Sequence, residues 1–196
     1  VGTNCLAANT TGDLNVGVGV SNLTANTTGV RLTAVGHAAL MNNTTANHNT
    51  AVGYHSLIQN TTGTNNTAVG TEALGTNTTG GSNTALGKDA LKLNTTGSFN
   101  TAIGTGGGAL ANNTTGGSNV GIGAQALGNN TTASNNTALG SFSLRDNQTG
   151  INNVAVGTSA LTNNETSNNT AVGYNSLTTN TTGTENVAVG TNALDD

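Results

Sequence analysis

A glycine returns every seventeen residues. Gly53 in NTAVGYHSL is followed by Gly70 in NTAVGTEAL and Gly87 in NTALGKDAL; the same interval runs back through Gly36, Gly19 and Gly2, and on through Gly104, Gly123, Gly140, Gly157, Gly173 and Gly190. Twelve glycines define eleven steps with only two slips: two extra residues within Thr105 to Gly108, and one residue missing near Ser167. A period this constant means one unit copied and stacked, each copy burying its face against its neighbours. It leaves no basis for a domain boundary, so residues 1–196 are expected to form a single elongated domain. The repeat is already under way at Val1 and is cut at Asp196, as in a processed, trimmed or excised piece.

The unit can be read position by position from Asn49 to Asn65. Thr50 and Val52 share one face of a strand, Ala51 and Gly53 the other. The Val52 column is aliphatic throughout, from Val18 and Val35 to Leu86, Ile103, Leu139 and Val189, and the Thr50 column holds only Thr or Val. β-Branched residues in register predict a strand with that face inward. A leucine column, Leu6, Leu23, Leu40, Leu57 through Leu194, supplies a second inward contact. Nothing recurs at helical spacing. The pairs Tyr54-His55, Thr71-Glu72, Lys88-Asp89 and Ser141-Phe142 vary freely and are expected to face solvent. Asn60-Thr61-Thr62-Gly63 reads as a turn in which Gly63 supplies positive φ, although Ala46 and Ala133 replace that glycine. Gly53 and its equivalents are never replaced, which predicts a corner or backbone contact that no Cβ could survive.

These columns predict an all-β fold, a β-solenoid of the β-roll or β-helix kind, with one 17-residue coil per repeat and about 11–12 coils stacked at ~4.8 Å. Aromatics make up 2% of the chain and charged residues 6%, so a large compact core is excluded and a thin stacked one is favoured. One coil buries too little to fold alone. Backbone ladders and stacked amides, as at Asn49, Asn66, Asn83 and Asn100, must contribute the rest. The net charge of -4 is dispersed without a basic patch, so no nucleic-acid partner is expected. No apolar run approaches the ~20 residues of a membrane helix, so no membrane insertion is expected either. Cys5 occupies a position filled elsewhere by Ala39, Ser56 and Ala73, and reads as a small packed residue.

Eleven turns open with Asn-x-Thr: Asn9, Asn26, Asn43, Asn60, Asn77, Asn94, Asn113, Asn130, Asn147, Asn164 and Asn180. The middle residue changes at Gln148 and Glu165 while the flanking pair persists. This is the pattern of N-glycosylation acceptors, the one covalent addition expected on a chain that otherwise calls for no cofactor and no metal. It is equally the pattern of an Asn ladder with a Thr hydroxyl holding the turn. Ala34, Ala51, Gly53, Ala68, Gly70 and Ala85 form a face stripped of side chains, a candidate interface for a sister rod. Thr61 and Thr62 point to opposite sides, so the turn offers no two-column Thr array of the ice-binding kind. No Asp recurs for repeat-type calcium sites. His37, His48 and His55 hold three different repeat positions, and no nucleophile, base and orienter can be assembled, so no enzymatic activity is expected.

The core N-T-A-V-G, at Asn49 to Gly53, Asn66 to Gly70 and Asn169 to Gly173, together with stretches such as NTAVGYNSLTTNTTGTENVAVGTNAL, resembles the repeats of phage tail-fibre proteins. More loosely it is similar to the left-handed β-roll heads of trimeric autotransporter adhesins, whose repeat is shorter. The resemblance covers essentially the whole chain. It implies an extracellular, cell-surface or virion fibre, often trimeric, that spaces or presents binding surfaces. The expected function is therefore a structural rod or adhesin segment that self-associates, laterally or head to tail. The alternative is a carbohydrate- or surface-binding module working through Tyr54, His55, Phe142 and Tyr174, with an ice-binding protein behind both.

Overall fold

The computed structural model describes residues 2–195; Val1 and Asp196, the two ends of the expected domain, lie outside them. Eleven three-residue strands make one parallel sheet in which chain order is spatial order. They are β1 (Val16–Val18), β2 (Thr33–Val35), β3 (Thr50–Val52), β4 (Thr67–Val69), β5 (Thr84–Leu86), β6 (Thr101–Ile103), β7 (Val120–Ile122), β8 (Thr137–Leu139), β9 (Val154–Val156), β10 (Thr170–Val172) and β11 (Val187–Val189). Like sits on like: Thr50 on Thr67, Ala51 on Ala68, Val52 on Val69. Both slips are absorbed without loss of register, since Ile103 still pairs with Ile122 and Val156 with Val172. The fold is the expected β-solenoid.

The coils are bonded around their whole contour, well beyond the strands. Leu57 N–H donates to Ala73 O (3.0 Å) and Thr61 N–H to Thr78 O (3.0 Å) in the following coil, while Gly53 N–H donates to Val35 O (2.8 Å) and His55 N–H to His37 O (3.0 Å) in the preceding one. The N–H groups at 53 and 55 thus bond backward, and those from 57 to 63 that cross between coils bond forward. The turns are as much part of the stack as the sheet.

The strand is reversed relative to the expectation. Ala51 and its equivalents Ala34, Ala68, Ala85, Ala102, Ala138, Ala155 and Ala171 are 0% exposed, whereas the Thr50 and Val52 columns face out. The reason is room. The interior is one coil wide and already holds a leucine per turn, and a Cβ placed on Gly121 would stand 3.3 Å from Leu110 Cγ. Only a methyl or a hydrogen fits opposite that leucine. The leucine column is inward as expected, and Leu23 through Leu161 are fully buried in one continuous cluster with the alanines. Cys5 is half-buried in its small-residue column, its Sγ 2.9 Å from Gly19 O.

The leucines are also bent against their chirality, with φ between 49° and 54° from Leu6 to Leu194. A left-handed conformation costs an L-residue roughly 1–2 kcal/mol, and fully burying a leucine returns about 1.5–3 kcal/mol. Burial offsets strain at this position, which explains why a leucine stands where local geometry alone would choose glycine. Two further non-glycine columns per coil, those of His55 and Asn65, share the left-handed conformation.

The two glycine columns act differently from one another. Gly53 has φ 136°, and a Cβ there would lie 2.6 Å from Gly70 O in the next coil, which fits the predicted contact. Gly63 does not have the positive φ expected of it. Its column is small because a Cβ would meet Gly80 O at 2.3 Å and Asn60 Oδ1 at 2.6 Å. Ala46 and Ala133 are nevertheless accommodated there, almost fully buried.

Candidate functional site

The eleven Asn-x-Thr asparagines form an internal column, bonded amide to amide from Asn9 to Asn130 and again between Asn164 and Asn180. Nine of them, Asn26, Asn43, Asn60, Asn77, Asn94, Asn113, Asn130, Asn147 and Asn164, are 0% exposed. Asn60 Nδ2 donates to Asn43 Oδ1 (3.1 Å) in the coil before and to Gly63 O (2.9 Å) in its own. Asn77 repeats this with Asn60 Oδ1 (2.8 Å) and Gly80 O (2.9 Å). A glycan is attached through that same Nδ2. At these nine positions it would disturb a buried hydrogen bond of that nitrogen and force a sugar into a space with no solvent access, so the expected acceptor role is corrected to a structural one. Asn9 and Asn180, near the two ends of the stack, are half-buried and carry the same bond to the carbonyl three residues on. The turn threonines are committed as well: Thr61 Oγ1 donates to Thr78 O (3.1 Å) and Thr78 Oγ1 to Thr95 O (3.0 Å).

A second asparagine column works by other bonds. Asn49 Oδ1 accepts from the Asn66 backbone N–H (2.8 Å), and Asn49 Nδ2 donates to Gly63 O (2.8 Å). These amides therefore lock each coil to the next mostly through main chain, where stacking amide on amide was expected.

The proposed interface of Ala34, Ala51, Gly53, Ala68, Gly70 and Ala85 fails on the same geometry. The four alanines are buried core, and Gly53 and Gly70 are close-packed against the glycine of the next coil. What the sheet does present is the pair of columns assigned to the interior. Val18, Leu86, Leu139, Val172 and Val189 are exposed, and the rest of that column is half-buried. Val16, Thr33, Thr50, Thr67, Thr84, Thr101, Val120, Thr137, Val154, Thr170 and Val187 run parallel to it. Every rung of this face is uncharged. The signal was available in the sequence: a column restricted to Ala and Gly is a column with a size limit, and size limits belong to interiors.

The wall that follows the strand carries the polar chemistry. Tyr54 stacks on His55 with ring centroids 3.7 Å apart, and His37 of the preceding coil lies 5.4 Å from Tyr54 and 5.6 Å from His55. Beside them Lys92 Nζ is 2.5 Å from Glu72 Oε2 and 3.4 Å from Asp89 Oδ1, and Lys88 pairs with Asp89 at 2.5 Å. The hydrogen bond it donates to the Glu72 carboxylate raises the Lys92 ammonium above its ordinary range. Burial opposes ionisation of Asp89, but the hydrogen bonds and charges of Lys88 and Lys92 outweigh it and hold the carboxyl below its usual range. Between coils lies a groove of about 340 Å³ lined by His55, Ile58, Gln59, Glu72, Gly75, Thr76 and Lys92. Elsewhere on the free positions Phe142 lies 5.9 Å beneath the Arg145 guanidinium, and Tyr174 is exposed. Among the described residues no three His, Cys, Asp or Glu side chains converge as metal ligands, and no helix is long and apolar enough to cross a membrane.

No family model, curated protein or solved structure matches this chain.

Proposed function

We propose that this chain is a rigid structural rod, a segment of an extracellular, cell-surface or virion fibre or adhesin, whose copies associate laterally through the outward face of the sheet. The observation that carries the reading is the uncharged outward stripe of aliphatic and threonine side chains on β1 to β11, exposed or half-buried and in register along the whole stack. Eleven strands at ~4.8 Å spacing and three residues at ~3.3 Å each give about 500 Å² of face per copy. Contiguous patches of about 300–600 Å² are often functional. A pair of copies would cover ~1,000 Å², the threshold for a specific interface. The occupant we assign is a second copy of the chain, because the face repeats itself on every rung and any copy offers another the same ridges and grooves. The absence of charge leaves nothing to select an unlike partner.

The test replaces Val52 and Leu86, two coils apart, with lysine. Sedimentation at tens of micromolar should show the native chain as a dimer or trimer and V52K/L86K as a monomer, with matching circular dichroism and melting. A native monomer, or an unchanged oligomer in the variant, would overturn the assignment. A native monomer that shapes growing ice crystals would reassign the face to ordered water, for which the hydroxyls of Thr33, Thr50, Thr67 and Thr84 stand one strand apart.

A further inference from the structure

The groove beside Tyr54 exists because of one residue. In the column that runs through Met41, Ile58, Gly75 and Lys92, glycine interrupts a series of long side chains and leaves a notch one coil high. Gly75 has no positive φ, and an added Cβ would meet nothing closer than Glu72 O at 3.2 Å. Ala111 carries a side chain at the same repeat position two coils on. Backbone geometry therefore does not demand glycine at 75, in contrast to Gly53.

The notch has an apolar floor and a mixed polar rim. Ile58, the Gly75 backbone and the aliphatic stem of Lys92 make the floor. His55, backed at 3.7 Å by the Tyr54 ring, makes one wall. Around the edge, Gln59 both donates and accepts, the Glu72 carboxylate accepts, and Lys92 donates. The Thr76 hydroxyl already donates to Lys92 O (2.8 Å), so it can only accept from a ligand. The carboxylate and ammonium are paired with each other at 2.5 Å. A charged ligand would have to compete with that pair, whereas a neutral one need not. In a chain with two tyrosines and three histidines, one tyrosine and two histidines gather here.

We propose that this groove binds a neutral pyranose sugar, its C–H face on Ile58 and His55 and its hydroxyls on Gln59, Glu72, Thr76 and Lys92. The ligand chemistry matches part by part: an apolar ring face, a rim of groups that each donate and accept, and no net charge. The volume is at the lower end for small-molecule sites, which suits one sugar ring. A shallow site contacting about a dozen non-hydrogen atoms gives a Kd on the order of 1 mM. Copies held side by side would multiply that weak contact. The site lies on the wall after the strand, so it stands or falls independently of the sheet face.

The experiment is saturation-transfer NMR on the full chain with methyl α-glucoside, methyl α-galactoside and methyl N-acetylglucosaminide, against glucuronate and glucosamine as charged comparators. At least one neutral glycoside should receive saturation, strongest on its C–H face, and outcompete both charged sugars. G75L fills the notch and should abolish the transfer while the rod stays folded by circular dichroism. H55A and Q59A, both surface changes, should each weaken binding about tenfold and keep the test valid if G75L unfolds. Transfer to none of the neutral glycosides, stronger transfer to a charged sugar, or equal transfer in native protein, H55A and Q59A would overturn the proposal.

Discussion

Two irregularities interrupt the same repeat, and only one of them reaches the interior. The two-residue insertion is carried by Thr105, Gly106 and Gly107, all exposed, while Ala109 and Leu110 just after it are fully buried in their usual places. The one-residue deletion falls in the turn after Asn164. There the carbonyl that Asn164 Nδ2 meets belongs to Thr166, two residues on at 2.7 Å, where every regular coil offers the one three residues on. The amide turns away from the preceding coil, and no protein donor reaches Asn147 Oδ1 or, one coil further back, Asn130 Oδ1. The ladder is unbroken from Asn9 to Asn130 and resumes between Asn164 and Asn180 (2.7 Å). The wall after the strand can take extra chain because it bulges into water. The Asn-Thr-Thr-Gly turn cannot lose chain without breaking the ladder, because its asparagine side chains are part of the core.

The largest effect should come from asking the same mutation of the intact and broken parts. Asn77 makes three amide bonds: to Asn60 Oδ1, to Gly80 O, and from Asn94 Nδ2 (2.8 Å). N77A would strand a buried acceptor on Asn60 and open a small cavity, a loss of roughly 2–4 kcal/mol. Asn147 makes one amide bond, to Gly150 O (2.8 Å), and that carbonyl also receives Asn136 Nδ2 (2.9 Å). N147A opens a similar cavity but removes an acceptor that no protein donor reaches and strands nothing new, so it should cost about 1–2 kcal/mol less than N77A. Urea denaturation of the two variants decides it. Equal losses would mean that the ladder contributes through packing and not through its hydrogen bonds.

A smaller effect, of opposite sign, should follow from repairing the turn. Inserting Gly between Thr166 and Ser167 restores the seventeen-residue spacing and gives Asn164 a carbonyl three residues on. Two ladder bonds recovered at about 1 kcal/mol each should raise Tm by roughly 4–8 °C for a chain of this length. An unchanged or lower Tm would show that the break has a cause other than the missing residue.

Much of this was readable in the sequence, because a solenoid writes its architecture as recurrence. Gly53, Leu57 and Asn60 recur at one interval, and stacking like on like follows from that alone. The strand faces opposite to the expectation for a physical reason. The rule that bulky β-branched residues point inward assumes an interior wide enough for two such layers, and here Leu57 and Asn60 already fill it, leaving Ala51 a methyl's width. The Asn-x-Thr turn was ambiguous because a sugar acceptor and a buried amide ladder ask for the same residues. Burial resolves the ambiguity, and no local pattern encodes burial of an asparagine. Nor does any propensity place a leucine at positive φ; that choice is made by the stack, in which side-chain burial offsets a backbone cost that would exclude leucine from an isolated turn.

The smallest effect is expected at the insertion. Deleting Gly106 and Gly107 joins Thr105 to Gly108, which restores the spacing between Gly104 and Leu110 found in every regular coil. Nothing fully buried depends on the two residues: a Cβ on Gly106 would meet only Ala124 Cβ at 3.7 Å, and Gly107 faces the half-buried side chain of Gln125. The strand pairing on either side, Leu86 with Ile103 and Ile103 with Ile122, is already regular. Shortening a surface loop by two residues alters its closure entropy by well under 1 kcal/mol, so Tm should move by no more than about 2–3 °C in either direction. A shift as large as that of the repaired turn would mean that the bulge strains the coils around it, and the distinction between a tolerant wall and an intolerant turn would then fail.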